Sequence, residues 1–158
     1  MIDTDLVNQP ASRTLQGTCP MALPGNGSAG EGVLVFHRHP DGRLELASCG
    51  PDSDEHGPFG LSPVGHLATA LAGCLSEFAS RFLERRRLPT AMRIDIGWKV
   101  SIQHCAIEHM HVTLHIATPL DEMARQTLHR MLDLCPVHKV LQGNVDVGVE
   151  VVESKVEG

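Results

Sequence analysis

The hydrophobic pattern of the chain changes period at Pro89. Beyond it, Met92, Ile94, Ile96, Trp98, Val100 and Ile102 alternate with polar residues or glycine, which predicts a strand with one buried face. Met110, Val112, Leu114 and Ile116 repeat the alternation and predict its antiparallel partner, and Val145, Val147, Val149 and Val151 predict a last strand. Before Pro89, the stretch Leu61 to Leu88 shows no such alternation. From Leu67 to Leu75 every position is apolar or small except Thr69, which predicts a helix with no polar face. Ser62 suits its N-cap and Pro63 its first position. Arg81, Arg85, Arg86 and Arg87 suit its C-terminal end, and Pro89 forbids its continuation.

The same reading fills in the rest of the chain. Val33 to Phe36 and Arg43 to Cys49 predict two strands joined by a turn at His39-Pro40-Asp41-Gly42. Thr118-Pro119-Leu120-Asp121 resembles a capped helix start, and the helix runs through Met123, Leu128, Met131, Leu132 and Leu134 to Cys135-Pro136. There the proline must kink it or restart it. Met1 to Glu31 predicts an irregular arm or strand, and the segments Gly25 to Gly32 and Gly50 to Leu61 predict loops. The order β-β-α-β-β-α-β predicts one α+β domain over residues 1–158 with a largely antiparallel sheet. One small sheet cannot cover a helix that is apolar on all sides. A homodimer with Leu67, Leu71 and Leu75 at its interface is therefore expected.

Charge narrows the function. Thirteen Lys and Arg stand against 19 Asp and Glu, for a net charge of −6, which argues against nucleic acid or an anionic membrane as partner. One Trp, four Phe and no Tyr are too few for a base-stacking surface. The N-terminus lacks a basic-then-apolar leader, and the apolar runs are too short to span a bilayer, so a soluble, cytoplasmic protein is expected. Five widely spaced cysteines without a CxxC fit a reducing compartment better than a disulfide framework.

Two thiols stand out. Cys74 lies in the apolar half of the first helix, where it is either an inert buried thiol or a working one. Cys135 precedes a proline that can open a new helical turn, whose N-terminal end would favour a thiolate; a plain helix-end cysteine is the other reading. His109, His111 and His115 share one strand face, opposite Met110, Val112, Leu114 and Ile116. No carboxylate is evident on that face, so a solvated surface is expected there and no resident metal or cofactor.

The run Ser62-Pro63, then Leu67-Ala68-Thr69-Ala70-Leu71-Ala72-Gly73-Cys74, resembles the first cysteine signature of the OsmC/Ohr family, the osmotically inducible and organic-hydroperoxide-resistance proteins. Cys135-Pro136-Val137 with Lys139-Val140-Leu141 is similar to that family's second cysteine motif. The resemblance runs from about Val33 to the C-terminus. It implies an OsmC-like fold, with two central helices wrapped by sheets from both subunits of an intertwined homodimer. It also implies a thiol peroxidase acting on organic hydroperoxides, with Cys74 attacking, Cys135 resolving, and a lipoyl or thioredoxin-like dithiol as reductant. Active members carry a glutamate soon after the helix-opening proline and an arginine from the N-terminal strands. Here Val64, Gly65 and His66 follow Pro63, and residues 25–32 contain no arginine. Arg38 and Arg43 are the candidates to activate the thiolate, and Glu55 and His66 the candidates to orient them. The alternatives are a non-catalytic dimer of the same fold that binds a small apolar ligand and, more remotely, a metal-binding protein using the histidine face.

Overall fold

The computed structural model describes residues 31–49, 63–101 and 103–154. Its centre is β3 (Met92–Ser101), which pairs antiparallel with β1 (Glu31–Arg38) on one side and with β4 (Ala106–Ile116) on the other. β2 (Leu44–Cys49) closes one edge against β1, and β5 (Asp146–Glu153) runs parallel to β4 at the other. The order is β2-β1-β3-β4-β5, an α+β fold with a mixed sheet. The one parallel pair among the described residues exists because the link from β4 to β5 is a helical crossover, α2 (Glu122–Leu132) followed by α3 (Pro136–Leu141).

The alternation read from the sequence decides which face is covered. Met92, Ile94, Ile96, Trp98 and Val100 of β3 are buried together with Met110, Val112, Leu114 and Ile116 of β4. They face α1 (Pro63–Arg85), which packs across β1, β3 and β4 and beside α2 and α3. Each buried Leu or Ile contributes about 1.5–3 kcal/mol over an exposed one. The opposite face of the sheet is polar. Arg93 pairs there with Asp95 at 2.7 Å, and Lys99 lies 3.9 Å from Glu108.

Gly32 and Trp98 are cross-strand partners of β1 and β3, and the indole lies on the glycine. A Cβ at Gly32 would come within 2.1 Å of the ring. Any side chain there would force the ring or the strand to move.

The helix ends follow local chemistry. Asp121 caps α2, its carboxylate accepting the Ala124 N–H at 2.7 Å. Arg125 then ties the helix to Glu153 of β5. α1 stops at Arg85, sooner than the expected stop at Pro89. Arg87 takes a left-handed conformation with φ 58°, and the N–H groups of Leu88 and Arg87 return to the carbonyls of Leu83 and Glu84. That pair of bonds closes the helix before the proline is reached.

Three expectations need adjusting. Leu71 and Leu75 are fully buried against the chain's own sheet, so they are core residues and not interface residues; only Leu67 keeps partial exposure. Glu31 and Gly32 belong to β1 and not to a loop. Carboxylates do share the histidine face: His111 lies 3.6 Å from Glu150, and His115 lies 3.2 Å from Asp95. They come from β5 and β3, diagonally across the ladder, so they are invisible within β4 itself. The expected cap Ser62, the loop Gly50 to Leu61 and most of Met1 to Glu31 lie outside the described residues.

Candidate active site

Cys74 sits in the middle of α1 and keeps partial solvent exposure, while Cys135 is fully buried. Both thiols are free. The fold brings them face to face because α3, with Cys135 at its N-cap, packs on α1. Pro136 occupies the first position of α3, as the Cys-Pro dipeptide suggested, and the Cys135 sulfur accepts the His138 N–H at 3.4 Å.

That cap does not make Cys135 a thiolate. Burial is the largest influence on it and favours the neutral thiol. The Cys74 sulfur adds to this as a hydrogen-bond partner and as a nearby charge, and the amides of His138 and Val137 pull more weakly the other way. The balance pushes the Cys135 thiol up to about 11. At neutral pH Cys135 is therefore a neutral thiol. The helix-end stabilisation expected from sequence is present and is outweighed by desolvation.

Beside the sulfurs lies an apolar groove of about 290 Å³, lined by Leu67 and Ala70 of α1 and by Pro136, Val137, Val140 and Leu141 of α3. Ala70 is one turn before Cys74, and Val137 is two residues past Cys135. Val140 remains 76% exposed at its rim.

The candidate activating residues separate clearly. Arg38, at the end of β1, reaches α1, where its guanidinium bonds Glu77 at 2.6 Å and the Ser76 hydroxyl at 3.4 Å. Its side chain is nine-tenths buried, and its Nε has no partner among the described residues. Glu77 also accepts from Arg81 at 3.0 Å. The Arg38 hydrogen bond comes first, and Arg81 second, in holding the Glu77 carboxyl below its ordinary value. Two guanidiniums share one carboxylate, so the cluster carries a net positive charge. It lies one helical turn from Cys74, since residues three apart are neighbours on a helix. Arg43 points elsewhere, bonded to Glu45 and near Asp41 on the exposed hairpin. His66 lies two turns before Cys74 on α1. Glu55 lies outside the described residues. Sequence reading missed Glu77; its spacing of three from Cys74 was the available signal.

His109, His111 and His115 stay on the outer sheet face, away from the thiols. No group of three or more metal-ligating side chains converges among the described residues.

Comparison with known proteins places the chain in a family. The family model described as OsmC-like protein matches residues 52–150, more than half of the chain. The chain belongs to the OsmC-like family. The fold of this OsmC-like chain is similar to that of a Psychrobacter arcticus 273-4 protein whose name assigns it to osmotic stress induction and the detoxification response. The two are 16% identical with a TM-score of 0.56, over 82% of this chain and 99% of that one. It is also similar to an OsmC-like protein of Mycoplasma pneumoniae, at 16% identity and a TM-score of 0.52 over 75% of this chain and 94% of that one. A further match is the organic hydroperoxide resistance protein OhrB of Bacillus subtilis, at 21% identity and a TM-score of 0.44 over 75% and 96% of the two chains. No curated protein sequence matches. No helix among the described residues is long and apolar enough to cross a membrane.

Proposed function

We propose that this OsmC-like chain is a thiol-dependent peroxidase that reduces organic hydroperoxides. The observation that carries the reading is the facing pair of free thiols, Cys74 and Cys135, with an apolar groove lined by their chain neighbours Ala70, Pro136 and Val137. Cys74 attacks the peroxide oxygen as thiolate, the alkoxide leaves as an alcohol after protonation, and a sulfenic acid remains. Cys135 displaces its hydroxyl as water and forms a disulfide. A dithiol of the lipoyl or thioredoxin class reduces that bond. The groove takes the alkyl group of the substrate, at about 25 cal/mol per Å² of apolar surface covered, so bulky hydroperoxides are favoured over hydrogen peroxide.

Arg38 provides a positive charge one helical turn from Cys74, and Glu77 holds it in place. The same proposal includes a homodimer. Leu67, Ala70 and Phe78 on the outer side of α1, together with Val140, are left incompletely covered, and a second copy would cover them.

The test is consumption of cumene or tert-butyl hydroperoxide with dihydrolipoamide as reductant. Wild type turns over and Cys74→Ser does not, whereas Cys135→Ser performs one attack and accumulates sulfenic acid at Cys74. Equal inactivity of wild type and Cys74→Ser would mean that the groove serves a small apolar ligand instead.

A further inference from the structure

The polar face of the sheet holds a side-chain relay that the thiol chemistry leaves unused. His115 points outward from β4, between buried Leu114 and Ile116. On one side its Nε2 lies 3.2 Å from Oδ2 of Asp95 on β3. On the other side its Nδ1 lies 3.3 Å from Oγ of Ser154, the residue that follows β5. Both partners are held independently of the ring. Arg93 grips the Asp95 carboxylate with two hydrogen bonds, at 2.7 and 3.0 Å, and its own pKa is raised chiefly by them. The Ser154 N–H donates to the Ile116 carbonyl at 3.0 Å, which sets the serine beside His115. The imidazole side chain is 21% exposed and the carboxylate 29%, so the relay is shielded from bulk water and still open to a small molecule.

We infer that Ser154 is a second nucleophile of this chain, an acyl-accepting hydroxyl that His115 activates as base and Asp95 orients. The tautomer follows from the partners. An ionised carboxylate can only accept, so Nε2 carries the ring proton towards Asp95 and Nδ1 presents its lone pair to the serine hydroxyl. A nucleophile within hydrogen-bond reach of a base that a third group orients is the arrangement that activates serine. It is recognised by geometry and roles, whatever the order of its members along the chain. The two ring nitrogens exchange places relative to the serine proteases, and the proton path is the same. The step balances. The Ser154 O–H proton moves to Nδ1, and the oxygen electron pair bonds the acyl carbon. The bond from that carbon to the leaving oxygen breaks, its electron pair departs with the leaving group, and the imidazolium returns its proton to water. Because the site lies on an open sheet face, it suits a small electrophile whose leaving group departs without a proton. Aryl esters and fluorophosphonates are of that class.

This inference stands apart from the thiol pair, and its test uses no peroxide. The full chain is treated with a fluorophosphonate carrying a reporter, which phosphonylates an activated serine with loss of fluoride, and the label is placed by peptide mass mapping. In the native protein Ser154 should be labelled ahead of the chain's other serines, and in the urea-unfolded protein that preference should vanish. His115→Ala should slow labelling of Ser154 by about 10²-fold. Added imidazole should restore part of that rate, which a merely structural role for the ring would not allow. Asp95→Asn should slow labelling as well, because a carboxamide can donate to Nε2 and turn the lone pair away from the serine. A native wild type whose Ser154 is labelled no faster than its other serines overturns the inference, whether or not the variants fold. So does a folded His115→Ala, or a folded Asp95→Asn, that is labelled at the wild-type rate.

Discussion

Arg38 and Glu77 join the end of β1 to the middle of α1 across a 2.6 Å ion pair, with the guanidinium nine-tenths buried and the carboxylate half exposed. That asymmetry orders the variants. Glu77→Ala leaves a buried guanidinium with one long hydrogen bond to Ser76, and an uncompensated buried charge is costly. Arg38→Met removes charge and keeps the stem packing, while Glu77 retains Arg81. Glu77→Ala is expected to lose about 1–3 kcal/mol by denaturant unfolding, discounted for the exposure of the carboxylate, and Arg38→Met less. The reverse order would show that the pair is held by packing alone.

The same pair sets a limb of the acid stability curve. Glu77 titrates below its ordinary value in the fold, so its contribution is full above the unfolded carboxyl pKa and is lost as pH falls through the folded one. Unfolding midpoints of wild type and Arg38→Met should therefore converge on acidification below about pH 4.5. Parallel curves down to the acid transition would contradict the assignment.

Gly32 and Trp98 allow a clean packing test. Gly32→Ala places a methyl inside the indole ring's volume, so ring or strand must move, and overpacking of this kind costs about 1–3 kcal/mol. Trp98 is the chain's one tryptophan, so its displacement should appear as a red-shifted emission. Gly97→Ala, whose new methyl would meet neighbours at no less than 3.7 Å, should change neither stability nor emission by comparison.

How far the sequence revealed these features depends on where their cause lies. Met92 to Val100 and Met110 to Ile116 were legible because a two-residue period is a local signal of a half-buried strand. The capped start of α2 was legible in the run Thr118 to Asp121 for the same local reason, and the structure makes Asp121 the cap. The Cys74 and Cys135 helices were legible through their motifs. Glu77 was not, because its importance comes from the register that lays β1 over α1, and no local pattern encodes that register. Leu71 and Leu75 were misplaced because an all-apolar helix does not say which side meets its own sheet.

The thiol pair itself carries the last expected outcome. Cys135 titrates at about 11 for two kinds of reason, its burial and the neighbouring Cys74 sulfur. Cys74→Ala removes the second kind and leaves the first, so the Cys135 value should fall from about 11 towards the ordinary 9.0. Thiolate absorbance against pH, or the pH dependence of alkylation mapped to the Cys135 peptide, measures the change. The sign for stability follows from the raised value. The fold prefers the neutral thiol, so the contribution of Cys135 is intact below the unfolded thiol pKa and is lost as pH rises from there through about 11. In Cys74→Ala that alkaline loss should be smaller, because the gap between folded and unfolded values has narrowed. If Cys135 titrates identically in both proteins, the two sulfurs do not sense each other. The facing pair on which the peroxidase reading depends would then be gone, whatever the activity assay gives.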